Sequence, residues 1–133
     1  MGASLATITA SYIAKWGMWD PKDIRLITLG QPRTGDYEFA DWHSAAFPYS
    51  YRVVHHRDPV PHTPPIEGAD SAFHHRFEVW YDNDMAVGQQ YTICPEADGD
   101  YCSNTVISDE GWDHLLYFNV NVKEWGINGC PSL

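Results

Sequence analysis

The residue types best suited to chemistry lie in two segments, 51–65 and 111–118. The first, Tyr51-Arg52-Val53-Val54-His55-His56-Arg57-Asp58-Pro59-Val60-Pro61-His62-Thr63-Pro64-Pro65, puts an aspartate directly after a run that favours extended structure. In open α/β sheets the carboxyl ends of the strands are where ligands and catalytic groups collect. The prolines restrict the chain after Asp58 and can hold its carboxylate in one place. An aspartate before Pro59 equally serves as an ordinary turn cap. The second segment, Gly111-Trp112-Asp113-His114-Leu115-Leu116-Tyr117-Phe118, sets a titratable ring among large apolar neighbours. Partial burial there favours the neutral imidazole, which is the form a general base must have. A half-buried histidine bonded to a backbone carbonyl has the same signature. Asp113 is adjacent to His114, but neighbours on a helix point apart, so it is a poor orienting partner.

Positioning such groups requires a scaffold, and the pattern of apolar residues supplies one. Leu5, Ile8, Tyr12, Ile13 and Trp16 recur at helical spacing, with Ala3, Ala6 and Ala10 allowing close packing, and predict a helix over 3–16. Residues 24–29 read as a largely buried parallel strand ended by Gly30, followed by a turn at 31–35 and a helix over 36–46 with Phe39, Trp42 and Ala46 on one side. A strand over 49–55 leads to Asp58. Two short strands, 77–81 and 90–94, pair through the loop at Asp82-Asn83-Asp84, and a last helix covers 109–118 with Asp109 and Glu110 in its first turn. Helix and strand in alternation point to an α/β sheet. The first helix has no strand before it, although such helices cross over between parallel strands, so the architecture reads as cut at its N-terminal edge.

Composition narrows the function. The chain has 133 residues and a formal net charge of −10, from 18 acidic and 8 basic side chains. So acidic a surface repels phosphate, which excludes sequence-independent nucleic-acid binding and docking on anionic membrane through a basic patch. A neutral lipid or ester remains permitted. No apolar run reaches transmembrane length, and the start lacks the basic residues of a signal peptide. Of three cysteines, Cys94 and Cys102 bracket the polar loop 95–101 and are candidates for a local disulfide, which leaves Cys130 odd. Three reduced thiols in a cytosolic protein is the other reading.

Aspartate at a strand end followed much later by histidine is the order in which α/β-hydrolases supply the last two members of their catalytic triad. That order demands a serine before both. Gly2-Ala3-Ser4-Leu5-Ala6 echoes the G-x-S-x-G elbow, but an elbow needs a strand before its serine, and only three residues precede Ser4. A better register makes Met1-Gly2 the last two positions of the elbow, with the serine immediately upstream.

In that register the chain resembles the class 3 (fungal-type) lipases, especially their animal and nematode branch. Met1-Gly2-Ala3-Ser4-Leu5-Ala6 is similar to the residues after the nucleophile in the family's G-H-S-[LM]-G-x-x-L-A. Leu29-Gly30-Gln31-Pro32-Arg33-Thr34-Gly35 resembles its G-x-P-R-x-G turn. Residues 55–65 match its H-x-x-D-x-V-P-x-x-P-P, and Asp113-His114-Leu115-Leu116-Tyr117-Phe118 resembles its H-x-x-Y-F. Asn119 departs from the glycine usual after Tyr-Phe.

The resemblance implies an α/β-hydrolase fold truncated on its N-terminal side, with residues 1–133 forming the C-terminal half of a lipase domain. It implies Asp58 and His114 as triad members and Met1 as the position whose backbone N–H helps bind the oxyanion. It also implies a neutral lipid or ester substrate, transient contact with a lipid–water interface, no cofactor, and secretion with Cys94 and Cys102 paired and the partner of Cys130 elsewhere. Hydrolysis by the chain alone is not expected without the serine. Two other readings stand beside this one. The first is a truncated homologue that folds poorly or binds lipid without cleaving it. The second is a metal-binding module built from His55, His56, Asp58, His62, His74 and His75, which lacks an established ligand spacing and whose adjacent histidines would face opposite ways on a strand. The triad reading carries a geometric demand. Asp58 and His114 must meet, with a carboxylate oxygen about 2.6–3.2 Å from Nδ1.

Overall fold

The computed structural model describes residues 1–106 and 111–132. Helix α1 (Gly2–Lys15) falls where the apolar spacing places it, but a different face is buried. Thr7, Ala10 and Ser11 point inward, while Leu5, Ile8, Tyr12 and Trp16 lie between 50% and 67% exposed. Small side chains let the helix approach the sheet closely. Ala10 packs on Leu26 and Phe47, and Thr7 donates a hydrogen bond to Gln31 Oε1 at 3.0 Å.

Strand β1 (Leu26–Leu29) comes next, and it corrects the expectation of a largely buried strand. Leu26 and Thr28 are buried, but Ile27 and Leu29 on the opposite face are 67% and 39% exposed, because α1 covers one face only. Helix α2 (Tyr37–Ala46) starts at Asp36, whose side chain accepts from the Phe39 N–H at 2.8 Å. That bond satisfies one of the donors that every helix N-terminus leaves unpaired. Strand β2 (Ser50–His55) is central and almost wholly buried. It pairs parallel with β1 (Leu26↔Ser50 to Leu29↔Val53) and with β3 (Glu78–Tyr81). Strand β4 (Thr92–Cys94) closes the far edge antiparallel to β3, as the two short runs predict. The sheet order is β1-β2-β3-β4.

The last segment departs most from expectation. In place of a helix over 109–118, a single 3-10 turn covers Asp113–Leu115, and a two-residue hairpin succeeds it, β5 (Leu116–Tyr117) with β6 (Val120–Asn121). Asp109 and Glu110 lie outside the described residues. The reason is local. Phe118 and Asn119 adopt φ of +52° and +61°, a pair of left-handed residues that ends any right-handed helix and makes a tight hairpin turn. Asparagine tolerates that conformation better than most residues, which accounts for Asn119 where the family pattern has glycine. A short helix α3 (Val122–Ile127), capped by the Asn121 side chain on the Glu124 N–H, comes where no element was expected.

One consequence of this packing is an unusually polar interior beneath α1 and α2. Arg52, Gln31, His43, His75 and Ser50 are fully buried. They are joined in a chain: Gln31 Nε2 donates to His75 Nε2 at 3.0 Å, and His43 bridges Ser11 and Ser50 at 3.0 Å each. Arg52 donates to the carbonyls of His75 (2.6 Å) and Ala97 (2.8 Å) and faces Glu78 at 3.6 Å.

Candidate active site

Parallel pairing of β1 with β2 opens the turn after Gly30 and the turn bearing Asp58 at the same sheet edge. Asp58 is completely buried, held by its own backbone N–H to the His55 carbonyl at 2.9 Å. A carboxylate out of water must be met by donors. Three converge on it. Val60 N–H reaches Oδ1 at 2.9 Å, the Tyr117 hydroxyl donates to Oδ2 at 2.8 Å, and His114 Nδ1 lies 2.9 Å from Oδ2 and 3.1 Å from Oδ1. The expected meeting of Asp58 and His114 therefore occurs, across 56 residues of sequence. The imidazole is one-third exposed while its partner is sealed. A proton on Nδ1 directed at the carboxylate leaves the Nε2 lone pair as the basic site of the neutral ring.

Two groups in this cradle were not singled out by sequence. Gly30 sits at φ +53°, and a Cβ placed there would come within 2.8 Å of Asp58 Oδ2 and of His114 Nδ1 and Cε1. Only a bare Cα lets carboxylate and ring meet over it. Its sequence signal, a glycine ending a strand, marked the turn but not the clearance. Tyr117, three residues after His114, was legible only as an apolar neighbour of the ring. It is buried, its ring packs with Val53 and Met85, and its hydroxyl also accepts from the His55 N–H at 3.3 Å. Burial first and the Asp58 charge second push its phenol pKa far above the ordinary value, so it stays a donor at every physiological pH.

Other expected residues fall elsewhere. Met1 is 89% exposed, and its carbonyl accepts from Leu5 N–H as the first bond of α1. Ser4 is half-buried on the packing side of α1, where its hydroxyl accepts from Thr34 at 2.9 Å. Cys94 and Cys102 form a disulfide, and Cys130 is free and exposed. The histidines weighed as metal ligands take separate protein partners: His74 Nε2 the Pro61 carbonyl (2.8 Å), His62 the Asn104 side chain (3.0 Å), His75 the Gln31 amide. Among the described residues no three His, Cys, Asp or Glu side chains group as ligands.

Comparison with known proteins gives the family and the fold. The class 3 lipase family model matches residues 1–68, which takes in α1, β1, α2, β2 and Asp58 and stops before His114. A lipase of Caenorhabditis elegans is 32% identical, the match covering all of this chain and 46% of that protein. The secreted mono- and diacylglycerol lipase 1 of Fusarium solani is 32% identical over 89% of this chain and 35% of its own. Among solved structures, a triacylglycerol lipase whose catalytic centre is described as a serine protease triad superposes with a TM-score of 0.79 and 29% identity, over 90% of this chain and 45% of that one. The chain thus spans less than half the length of the relatives it matches. Its sheet, its turns and its sequence motifs agree with one assignment: this chain belongs to the class 3 lipases and carries part of their α/β-hydrolase fold.

Proposed function

We propose that residues 1–133 are the C-terminal half of a hydrolase domain that cleaves carboxylic esters of neutral lipids, with Asp58 as the orienting carboxylate and His114 as the general base of a Ser-Asp-His triad. The nucleophilic serine stands immediately before Met1 in the register set by Met1-Gly2-Ala3-Ser4-Leu5-Ala6. His114 Nε2 takes the proton of the serine hydroxyl as its oxygen attacks the ester carbonyl, then returns that proton to the departing alkoxide. Asp58 fixes the ring through Nδ1 and stabilises the imidazolium formed in between. The backbone N–H of Met1, next after the nucleophile, is one of the donors to the oxyanion. Water then releases the acid from the acyl-enzyme, and the reaction needs no cofactor.

The observation that carries this reading is the 2.9 Å contact between the sealed Asp58 carboxylate and the part-exposed His114 ring at the carboxyl edge of β2. The triad named for the similar triacylglycerol lipase supports it, and the name of the Fusarium solani relative supports secretion. The disulfide suits that compartment. The substrate is met at a lipid–water interface.

The test is turnover of a short-chain nitrophenyl ester. In protein extended upstream through Gly-His-Ser, Asp58→Asn and His114→Ala each lower kcat by about 10³–10⁴ with KM little changed. The 133-residue chain alone cleaves no ester. Turnover by that chain, abolished by Ser4→Ala, would make Ser4 the nucleophile and overturn the register.

A further inference from the structure

We infer that Asp113 is a positioning residue for His114, clipping the turn that bears the imidazole onto the turn that bears Asp58; this rests on the role proposed for that pair. On sequence grounds Asp113 is a poor orienting partner for its neighbour, because adjacent side chains on a helix point apart. The divergence is what makes it useful. While His114 reaches Asp58, the Asp113 carboxylate reaches the residues just before Asp58. Its Oδ2 accepts from His56 Nδ1 at 3.1 Å and from the Arg57 backbone N–H at 3.0 Å, and the Asp113 carbonyl lies 3.1 Å from His55 Nδ1. Residues 55, 56 and 57 thus hold position 113, and residue 58 holds position 114.

The anchor is itself fixed. His56 has a φ of +40°, its carbonyl accepts from Trp80 Nε1 on the neighbouring strand at 3.0 Å, and its Nε2 faces Asp82 at 3.6 Å. Asp113 is 17% exposed, so its hydrogen bonds act away from most competing water. The 3-10 turn that carries both residues is three residues long and has little rigidity of its own. Among the described residues, the side-chain contacts that fix it are those at Asp113 and His114 and, beyond them, the Tyr117 hydroxyl. Asp113 touches no reacting atom. It sets where the ring sits.

The tautomer of His114 reports this directly and independently of hydrolysis. Nitrogen-15 shifts of the neutral ring in the 133-residue chain give the ratio of Nδ1–H to Nε2–H forms. The intact chain is expected to favour Nδ1–H. Asp113→Ala shifts the ratio toward Nε2–H by about tenfold, the size a lost hydrogen bond to a charged group carries. Asp113→Asn, which keeps an acceptor oxygen in place, restores most of it, and amide protection of β2 and β3 is the same in both. A wild-type ratio in Asp113→Ala overturns the inference. Should Asp113→Ala fail to fold, His56→Ala removes one donor and shifts the ratio about two- to fivefold; no shift there overturns the inference equally. If the ratio moves as stated while ester turnover ignores Asp58→Asn, the hydrolase reading fails and the positioning stands.

Discussion

Two sets of histidines in this molecule share a residue type and almost nothing else. His43, His74 and His75 lie inside, between the helices and the sheet, each at 5% exposure or less. Burial drives their pKa values down, that of His43 to about 4, and those of His74 and His75 well below 6.5. They are neutral struts, fixed by Ser11, Ser50, Gln31 and the Pro61 carbonyl. His114, at the sheet edge, is instead one-third exposed and backed by a buried carboxylate. Hydrogen bonding alone does not separate a structural histidine from one equipped to move protons. The separation lies in whether the ring is part-exposed while one nitrogen meets a fixed negative charge.

The largest effect that breaks the comparison comes from the interior. Arg52→Ala strands the Glu78 carboxylate and the carbonyls of His75 and Ala97, and is expected to destabilise by about 3–5 kcal/mol in urea unfolding. His114→Ala, at the edge, serves as the control and is expected to move the midpoint far less.

Acid sharpens the contrast next. Above pH 6.5 His43 is neutral in folded and unfolded chains alike. As pH falls from 6.5 toward 4 the unfolded chain takes up a proton that the folded one refuses, so stability present above the window is lost within it. For His43 alone the loss approaches roughly 3 kcal/mol by about pH 4, and His74 and His75 act in the same direction. Urea midpoints measured across that range should fall with acid, and a His43→Gln chain should show a shallower slope.

The smallest effect is redox. The disulfide closes a loop with a sequence separation of 8, worth roughly 2–3 kcal/mol in the chain-entropy model. Within it Asp98 accepts from Arg33 and from the His74 backbone N–H, and Ala97 accepts from Arg52, so reduction also loosens the interior set. A midpoint unchanged by reductant would show that these polar contacts hold the loop unaided.

The elements through β2 were legible because each had a strong local signal. Helical spacing marked α1, apolar residues on one side (Phe39, Trp42 and Ala46) marked α2, and extended runs, one ended by Gly30 and one leading to Asp58, marked the strands. Which face each element buries was not legible. Apolar spacing selected Leu5 and Ile8, whereas the packing selected Thr7 and Ser11, because a polar side chain can be buried when another element supplies its partner. Nothing within α1 reveals that His43 or Gln31 is waiting. Segment 109–118 failed for a related reason. Asp109 and Glu110 read as the first turn of a helix, while the left-handed pair Phe118 and Asn119 carries no helical signal and the pull of Asp58 on Tyr117 is a tertiary contact. The Asp58–His114 meeting was reached through the order of motifs, since no local rule joins residues 56 apart.

The strand order β1-β2-β3-β4 matches the order of synthesis. Among the described residues, each strand of this sheet after β1 therefore leaves the ribosome with a sheet neighbour already made, and the sheet can extend at one edge without waiting for later sequence. The Asp58 carboxylate is different, since two of its three donors, His114 and Tyr117, are translated more than fifty residues after it. During synthesis the growing chain thus holds a sheet edge that ends in an incompletely satisfied acid, and the site is completed only when the segment around residue 114 arrives.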